Sequence, residues 1–282
     1  GFNYGAFWPN QTGKTYDDFL RQFKLAQNLP NAPVRFDSAH LFTCIQFGTQ
    51  NEPISAFKAA IDTNTSLLLG LWGPGNETAF TNELSALDNA LTQYGKDLSN
   101  LIIGVSVGGE DIHRKEAAAD DIGQKIQNLK ATFSSTLQRS SSYSALFSKP
   151  PPIGHSDIVP FATDVKDVDF IGTTVYPYWN NDSIVRAVQS FSESLSQVQS
   201  RANGTEIWIT ETGWPVASQA DQGAAKAGVA ELQKYWRDVG CTLFGKVNTW
   251  WFELEQDTDD HEGINWSIVD PQTGQPRIDL TC

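Results

Sequence analysis

Short apolar runs alternate along the chain with longer polar stretches in which apolar residues recur at helical spacing. The apolar runs are rich in β-branched and aromatic residues, a composition typical of buried strands. In the stretch 77–95 the apolar positions at helical spacing are Phe80, Leu84, Leu87 and Leu91. The pattern predicts strands at residues 2–6, 33–38, 66–72, 101–107, 150–155, 168–176, 246–253 and at the apolar start of the stretch 205–215.

Helices are predicted between these strands, at residues 15–28, 53–63, 77–95, 115–138, 183–201 and 219–239. Near-continuous apolar strands that alternate with helices indicate a parallel sheet covered on both faces. Eight strand–helix units in 282 residues favour one α/β domain over residues 1–282, a (β/α)8 TIM barrel. The alternative is an open doubly wound sheet. The chain has no GxGxxG after its first strand and no GxxxxGK[ST], so the usual ligand motifs of doubly wound sheets are missing.

Charge and composition narrow the class of partner. The chain has 33 acidic and 20 basic residues, a net charge of −13, which argues against nucleic acid or an anionic membrane surface. No apolar run approaches the roughly 18 residues of a membrane span. Several Asn-x-Ser/Thr sequons favour the eukaryotic secretory route and hence a secreted, extracellular protein. These candidate glycosylation sites are Asn10, Asn64, Asn76, Asn181, Asn203 and Asn265.

Cysteine and histidine residues offer no metal-binding pattern. The cysteines are Cys44, Cys241 and Cys282, and none belongs to a CxxC pair. Cys241 lies near the end of a predicted helix and Cys282 is the last residue, so a disulfide between them is expected to clamp the C-terminus onto the fold. Cys44 is expected to be a buried free thiol. The histidines are scattered, and the stretch GHSD at 154–157 is no catalytic triad without a GxSxG motif. We expect neither a metal nor a cofactor.

Carboxylates and aromatic residues follow the predicted strands, at the ends where a barrel of this type carries its active site. Cleavage of a glycosidic bond needs an acid to protonate the leaving oxygen and a carboxylate to meet the oxocarbenium-like centre. Aromatic faces stack on the apolar faces of glucosyl rings. The pattern therefore predicts glycoside hydrolysis. The residues at the strand ends are Arg35, Asp37, Trp72, Glu110, Asp111, Tyr176, Tyr178, Trp179, Glu211, Trp214, Glu253 and Glu255.

Seven stretches of the sequence resemble glycoside hydrolase family 17, and within it the fungal secreted β-1,3-glucanases and glucanosyltransferases. They are GFNYGAF, SLLLGLW, IIGVSVGGEDIHR, VYPYW, EIWITETGWP, GCTLFGKVNTWWFE and DLTC, in the family's order and over nearly the whole chain. ITETGWP is the most specific of them. The resemblance implies a (β/α)8 barrel and a retaining mechanism, with Glu110 as the acid/base and Glu211 as the nucleophile. It also implies a β-glucan substrate and a location outside the cell or in the cell wall.

Further residues are expected to bind the substrate: Tyr4, Arg35, Trp72, Asp111, Tyr176, Tyr178, Trp179, Trp214 and Glu253. Tyr176 is expected to donate a hydrogen bond to Glu211, because their strand ends are neighbours. Alternatives stay open for several others. Asp111 is equally a helix-capping residue, Trp179 and Trp214 are equally core residues, and Glu253 is equally a partner of Arg35 or a lysine. For Tyr4, Tyr176 and Tyr178 the alternative is a packing role. Trp250 and Trp251 are adjacent on a strand, so at most one faces the barrel interior.

One position departs from the family pattern. Most members have Asn directly before the acid/base, where it donates a hydrogen bond to the sugar 2-hydroxyl, whereas this chain has Gly109. Loss of that contact removes about 1–3 kcal/mol of transition-state stabilisation unless another group replaces it. A glucan-binding cell-wall protein with weakened catalysis is therefore the alternative function. The sequence leaves hydrolysis and transglycosylation both open, and a monomer is expected.

Overall fold

Parallel strands close into a barrel within the part of the chain that this computed structural model describes, residues 1–73, 77–134, 145–257 and 263–282. The sheet order follows the sequence, and β1 closes the barrel against β8 with Phe2 opposite Trp251. The expected single-domain (β/α)8 barrel is confirmed. The strands are β1 Phe2–Tyr4, β2 Ser38–Leu41, β3 Ser66–Leu71, β4 Ile102–Gly109, β5 Ile153–Ile158, β6 Phe170–Thr174, β7 Glu206–Thr212 and β8 Thr249–Trp251.

Helices cover the outside of the barrel, and the first of them shows how the sequence specifies its start. Thr15 accepts a hydrogen bond from the Asp18 amide while the Asp18 carboxylate accepts one from the Thr15 amide, which forms a capping box. The helices are α1 Tyr16–Gln27, α2 Ala56–Thr63, α3 Glu77–Tyr94, α4 Lys96–Ser99, α5 Ala119–Ser134, α6 Ala187–Arg201, α7 Val229–Tyr235 and α8 Cys241–Leu243, with a π-helical segment Trp236–Gly240 between the last two.

No helix follows β5, in keeping with the list of predicted helices, although the count of eight strand–helix units implies one there. Residues 159–169, all of which the structure describes, contain turns and no helix. The segment instead folds back directly, with the Asp169 amide donating to the Ile153 carbonyl and the Asp169 carboxylate accepting from the Ile153 amide.

The second strand begins five residues later than the predicted 33–38. The observed strand, Ser38–Leu41, contains Ser38 and His40, and these polar residues weaken its apolar signal. His40 faces the barrel interior, where its Nδ1 lies 2.9 Å from Asn3 Nδ2. The apolar residue that suggested a strand further upstream, Phe36, instead packs outside the sheet against Phe2 and Trp236.

The interior of the barrel is layered. Near the amino ends of the strands, Phe170 and Trp208 stack with ring centroids 3.9 Å apart, and Trp250 lies 5.8 Å from Trp208. One layer closer to the carboxyl ends the interior is polar, with Asn3 Nδ2 donating to the Thr210 carbonyl at 2.9 Å. As expected for adjacent strand residues, Trp250 faces inward whereas Trp251 packs outside against Trp236. The apolar layer closes the bottom of the barrel, and the polar layer is the floor of the carboxyl-terminal opening.

The C-terminal segment lies against the helix that precedes it. Cys241 and Cys282 form a disulfide with 5.5 Å between their Cα atoms, and Trp236 Nε1 donates to the Leu280 carbonyl at 3.2 Å. Both contacts hold the end of the chain on the outer face of the barrel. Cys44 is a buried free thiol, as the apolar sequence around it indicates.

Candidate active site

Two β-bulges shape the carboxyl-terminal rim. On β4, Ser106 pairs with Gly154 but Gly109 pairs with Ser156, so β4 has one more residue than β5 over this interval. On β7, Ile209 pairs with Thr173 and Glu211 with Thr174, so β7 gains one residue over β6. A bulge bends the strand and changes the direction of the side chains that follow it. Both catalytic candidates come directly after such an extra residue.

Glu211 lies in a partly buried position at the end of β7. The Tyr176 hydroxyl donates a hydrogen bond to Glu211 Oε2 at 2.9 Å, as the neighbouring strand ends suggest. Burial and the charge of Glu110 raise the pKa of Glu211 to about 8, against the opposing effects of the Tyr176 hydrogen bond and Arg114. The pKa of Tyr176 is itself raised well above its ordinary value, by burial and then by the charge of Glu211. The phenol therefore stays protonated and able to donate.

Glu110 begins the loop after β4 with a left-handed backbone conformation, φ 59°. Its amide donates to the Ser156 carbonyl at 2.8 Å, and its Oε1 accepts from the Thr174 hydroxyl at 2.8 Å. Arg114 Nη1 lies 3.6 Å from Glu110 Oε2. A left-handed conformation is uncommon outside glycine, so the surrounding contacts must hold the residue in place.

Thr174 links the two carboxylates. Its backbone is paired with Glu211 across β6 and β7, while its hydroxyl donates to Glu110. The two carboxyl groups interact electrostatically, because the charge of Glu110 contributes to the raised pKa of Glu211. Two interacting carboxyl groups do not both ionise easily, so the pair keeps one proton at neutral pH. The site thus offers one acid and one carboxylate, the two forms that acetal cleavage requires.

Two glycines precede Glu110, and the structure distinguishes them. Gly108 has φ +74°, and a Cβ there would lie 1.6 Å from Asp111 Oδ2. A Cβ on Gly109 would meet nothing within 4 Å, and its φ is outside the left-handed range. Gly108 is therefore needed for the close approach of Asp111, whereas the position of Gly109 has space for a Cβ atom.

Exposed tryptophans stand on two sides of the opening. Trp72 follows β3 and is 43% exposed, with the Arg114 guanidinium 5.8 Å from its ring centroid. Trp179 follows β6 and is 41% exposed. Its ring lies 5.8 Å from that of Trp266, which in turn lies 5.2 Å from Tyr176. The strand pattern missed Trp266, since it belongs to the irregular tail after β8.

Several of the expected substrate-binding residues are not open to the site. Tyr4 faces outward from β1 onto Phe23 of α1, because its neighbour Asn3 takes the inward direction. Tyr178 and Trp214 are fully buried against each other with ring centroids 5.5 Å apart, so neither presents a face to a sugar.

Asp111 and Arg35 also differ from expectation. Asp111 is fully buried beneath the Glu110 loop, where Arg114 Nη2 lies 3.3 Å from its Oδ1. It does not cap a helix either, because α5 begins only at Ala119. Burial raises the pKa of Asp111, although nearby His155 and Arg114 oppose this. Arg35 precedes β2 and lines a cavity of about 620 Å³ at the amino ends of the strands, opposite to the candidate site.

Glu253 follows β8 and is fully buried beside Asp257. Burial and then the charge and hydrogen bonding of Asp257 raise the pKa of Glu253 well above the ordinary value, and Lys14 opposes this. Lys14 forms its ion pair with Asp257. A pairing with Arg35 is excluded, because Arg35 lies at the other end of the barrel. Glu253 also contributes to the raised pKa of Tyr176, which places it near the carboxylate pair.

The sequons differ in accessibility. Asn10, Asn64, Asn181 and Asn203 are exposed, whereas Asn265 is half-buried and its Oδ1 accepts from the Ser267 amide at 2.9 Å. Asn76 lies outside the described residues. Across those residues no cluster of three or more His, Cys, Asp or Glu side chains is arranged to hold a metal ion.

Comparison with known proteins points to one family. The model of the BtgE/BtgC glycoside hydrolase domain matches residues 1–265. A probable glucan endo-1,3-beta-glucosidase of Aspergillus terreus is 39% identical, over 100% of this chain and 60% of that protein. A protein of the same name from Aspergillus fumigatus is 38% identical, over 100% of this chain and 65% of that protein. The chain thus spans less than two thirds of the length of these relatives.

A solved structure agrees with this match at the level of the fold. The glycoside hydrolase family 17 β-1,3-glucanosyltransferase of Rhizomucor miehei superposes with a TM-score of 0.78 at 20% identity, over 100% of this chain and 97% of that one. An active-site mutant of that enzyme, in complex with laminaritriose, superposes with a TM-score of 0.79 at 19% identity over the same shares. Together the matches confirm the resemblance that the sequence motifs indicate.

Proposed function

The chain belongs to the family of BtgE/BtgC glycoside hydrolase domains, and we propose that it cleaves β-1,3-glucan by a retaining, double-displacement mechanism. Glu211 is the nucleophile and Glu110 is the acid/base. The observation that carries the proposal is the position of Thr174, which pairs with Glu211 through its backbone and donates to Glu110 through its hydroxyl. One threonine therefore contacts the Glu110 carboxylate through its hydroxyl and the Glu211 backbone across the sheet.

The two steps use the same pair of residues. In the first, Glu211 attacks the anomeric carbon while Glu110 gives its proton to the leaving glycosidic oxygen, so that a glycosyl ester forms on Glu211. In the second, Glu110 takes a proton from the incoming hydroxyl, which attacks the anomeric carbon and releases Glu211. Water as the incoming group gives hydrolysis, and a sugar hydroxyl gives transglycosylation.

Tyr176 assists Glu211 by donating a hydrogen bond to the nucleophilic carboxylate at 2.9 Å. A hydrogen bond of this kind favours the ionised form and keeps the carboxylate oriented. Arg114 favours the ionised form of Glu211 as well. Both contacts oppose the burial that favours the protonated form, and support Glu211 as the partner that attacks.

The substrate class is supported by the relatives and by the rim of the cleft. The two Aspergillus relatives are named as probable endo-acting β-1,3-glucosidases. The net charge of −13 suits a neutral polysaccharide better than an anionic one. Trp72 and Trp179 present exposed rings at the opening for glucosyl units to stack on. Glu253 is buried near the carboxylate pair and is suited to form a hydrogen bond with a sugar hydroxyl.

The proposal is tested with a linear β-1,3-glucan. The wild type is expected to release reducing sugar, and Glu211→Gln to lose activity by about 10³-fold or more. Glu206→Gln is the matched control, because Glu206 is an exposed carboxylate at the amino end of the same strand. Proton NMR of the first-formed product is expected to show the β-anomer, and a fluorinated glucoside should label Glu211. An α-anomer, or label on another residue, contradicts the assigned mechanism.

Sizing of the products decides between hydrolysis and transfer. With a single oligosaccharide of defined length as substrate, hydrolysis gives only shorter chains. Transglycosylation also gives chains longer than the starting material, because a second sugar intercepts the glycosyl-enzyme. The exposed Trp72 and Trp179 are placed to hold either a longer substrate or such an acceptor.

Gly109 favours a second candidate function, a glucan-binding cell-wall protein with weakened catalysis. A Cβ at Gly109 meets nothing within 4 Å, so the position accepts a side chain at its first atom. If the missing amide limits the rate, Gly109→Asn should raise kcat about 5-fold to 150-fold, at ~1–3 kcal/mol for the restored hydrogen bond. Sugar binding without turnover in both proteins would favour the binding function over the enzymatic one.

The location and the assembly state are also proposals. The disulfide between Cys241 and Cys282 and the exposed sequons support a secreted protein of the cell wall or the extracellular space. The described helices are each too short or too polar to cross a bilayer. We propose that the protein is a monomer and uses no cofactor. Light scattering of the purified protein tests its assembly state directly.

A further inference from the structure

A buried histidine–aspartate pair lies behind the loop that carries Glu110. His155 and Asp157 alternate with Ser156 on β5, and their side chains are 1% and 0% exposed. Ser156 points into the barrel, where its hydroxyl contacts that of Thr210. By alternation, His155 and Asp157 point outward, beneath the loop. This pair is the stretch GHSD, which has no part in the reaction proposed above.

Asp157 accepts hydrogen bonds from the backbone of the Glu110 loop. The amide of Ile112 lies 3.1 Å and that of His113 3.4 Å from Asp157 Oδ2, and the Ile158 amide lies 2.8 Å from Oδ1. The Asp157 carboxylate therefore fixes two consecutive amides that follow Glu110 by two and three residues. The loop has no regular secondary structure of its own to provide these partners.

His155 in turn holds Asp157. Its Nδ1 lies 2.7 Å from the Val107 carbonyl oxygen and its Nε2 lies 3.2 Å from Asp157 Oδ2. His155 therefore bridges the Val107 carbonyl of β4 to the Asp157 carboxylate and holds that carboxylate beneath the loop.

We propose that the His155–Asp157 pair is the positioning device for the acid/base, holding Glu110 in its left-handed conformation at the end of β4. The inference rests on the proposed function of Glu110. The pair touches neither Glu110 nor the reacting atoms. It acts through the amides of Ile112 and His113, on a loop whose other charged groups are Asp111, Arg114, Lys115 and Glu116. Loss of the pair frees the loop, so that Glu110 no longer meets the leaving oxygen.

The experiment compares two substrates that differ in their need for an acid. A β-1,3-glucan has a poor leaving group and depends on protonation by Glu110, whereas a 2,4-dinitrophenyl β-laminaribioside does not. For Asp157→Asn and His155→Gln, kcat/KM on the glucan is expected to fall by about 10-fold to 100-fold. On the dinitrophenyl glycoside it should change by less than about 3-fold. His113→Gln is the matched control, because that exposed histidine contributes only its backbone amide to the network.

The outcomes separate the inference from the function on which it rests. If Glu110→Gln shows no dependence on the leaving group, the assignment of Glu110 is wrong. If Glu110→Gln shows this dependence on the leaving group and the Asp157 and His155 variants do not, only the positioning role is wrong. Equal losses on both substrates likewise overturn the positioning role, since a general packing defect affects every substrate alike.

Amide exchange tests the inference without an activity assay. Exchange at Ile112 and His113 is expected to be slow in the wild type, because both amides donate to Asp157, and to quicken in Asp157→Asn where that variant folds. Unprotected amides in the wild type overturn the inference.

Discussion

The raised pKa of Glu211 makes the stability of this domain depend on pH, and replacement of Glu211 by glutamine should remove much of that dependence. Burial and Glu110 raise the pKa of Glu211 to about 8 from an ordinary 4.5. The folded state therefore binds a proton that the unfolded state releases between these two values. Stability conferred by the protonated carboxyl is complete below pH 4.5 and is lost as the pH rises to about 8.

The size of the effect follows from the shift. At ~1.36 kcal/mol for each pKa unit, the rise corresponds to an upper value of ~5 kcal/mol. Glu211 is only partly buried and faces the cleft, so water screens part of its charge, and we expect ~2–4 kcal/mol. Glutamine keeps the shape of the side chain and carries no charge at any pH. The free energy of unfolding of Glu211→Gln, relative to wild type, should therefore increase by ~2–4 kcal/mol between pH 5 and pH 8.5.

Denaturant unfolding at a series of pH values between 4.5 and 9 measures this difference directly. Glu206→Gln is again the control, because Glu206 is exposed at the other end of β7. Its free energy of unfolding should stay within about 0.5 kcal/mol of the wild type at every pH. A difference between Glu211→Gln and wild type that is the same at pH 5 and pH 8.5 would show that the pKa of Glu211 is not raised in the folded protein.

Three further outcomes follow from the same contacts. Gly108→Ala should cost more than ~2 kcal/mol of unfolding free energy, because the backbone has φ +74° there and the new Cβ would clash with Asp111 Oδ2. Gly109→Ala should cost less than ~1 kcal/mol, and thermal unfolding compares the two variants. Tyr176→Phe removes the hydrogen bond to Glu211 and should lower kcat about 10-fold to 100-fold in a reducing-sugar assay, with an unchanged rate refuting its role. Cys282→Ser opens the disulfide and should lower the unfolding free energy by ~2–4 kcal/mol in denaturant, without change in kcat.

The barrel could be predicted from sequence because its signal is repeated. Each strand run is short and apolar, and the helices between them have a clear period, so an error in one element leaves the architecture intact. The error at β2 illustrates this. Its two polar residues, Ser38 and His40, belong to the inside of the barrel, and only the closed structure shows that they find partners there. Because the strand was predicted five residues too early, Arg35 was also expected at the carboxyl-terminal end of the barrel, whereas it lies at the amino-terminal end.

The sequence could not predict which side chains at the strand ends are buried. Trp214 and Trp179 both follow strands and both are aromatic, yet one is fully buried and the other is 41% exposed. The difference arises from loops that pack from elsewhere in the chain. Trp214 Nε1 donates to the Lys226 carbonyl at 2.9 Å, a residue of the loop before α7. A side chain's position at a strand end therefore indicates the rim, but contacts between distant loops decide which side chains are accessible.

The bulge on β7 explains why the direction of Glu211 could not be derived from strand periodicity. On β7, Trp208 faces the barrel interior, so strict alternation would turn Thr210 inward and Glu211 outward. Thr210 does face inward, but the extra residue relative to β6 turns Glu211 to the opening as well, and Thr212 then faces outward to the Tyr235 hydroxyl at 2.8 Å. This change of direction also brings the Glu211 carboxyl beside the Tyr176 hydroxyl and close enough to Glu110 for their charges to interact. The bulge thus accounts both for the position of the Glu211 carboxyl at the opening and for its raised pKa, on which the stability prediction depends.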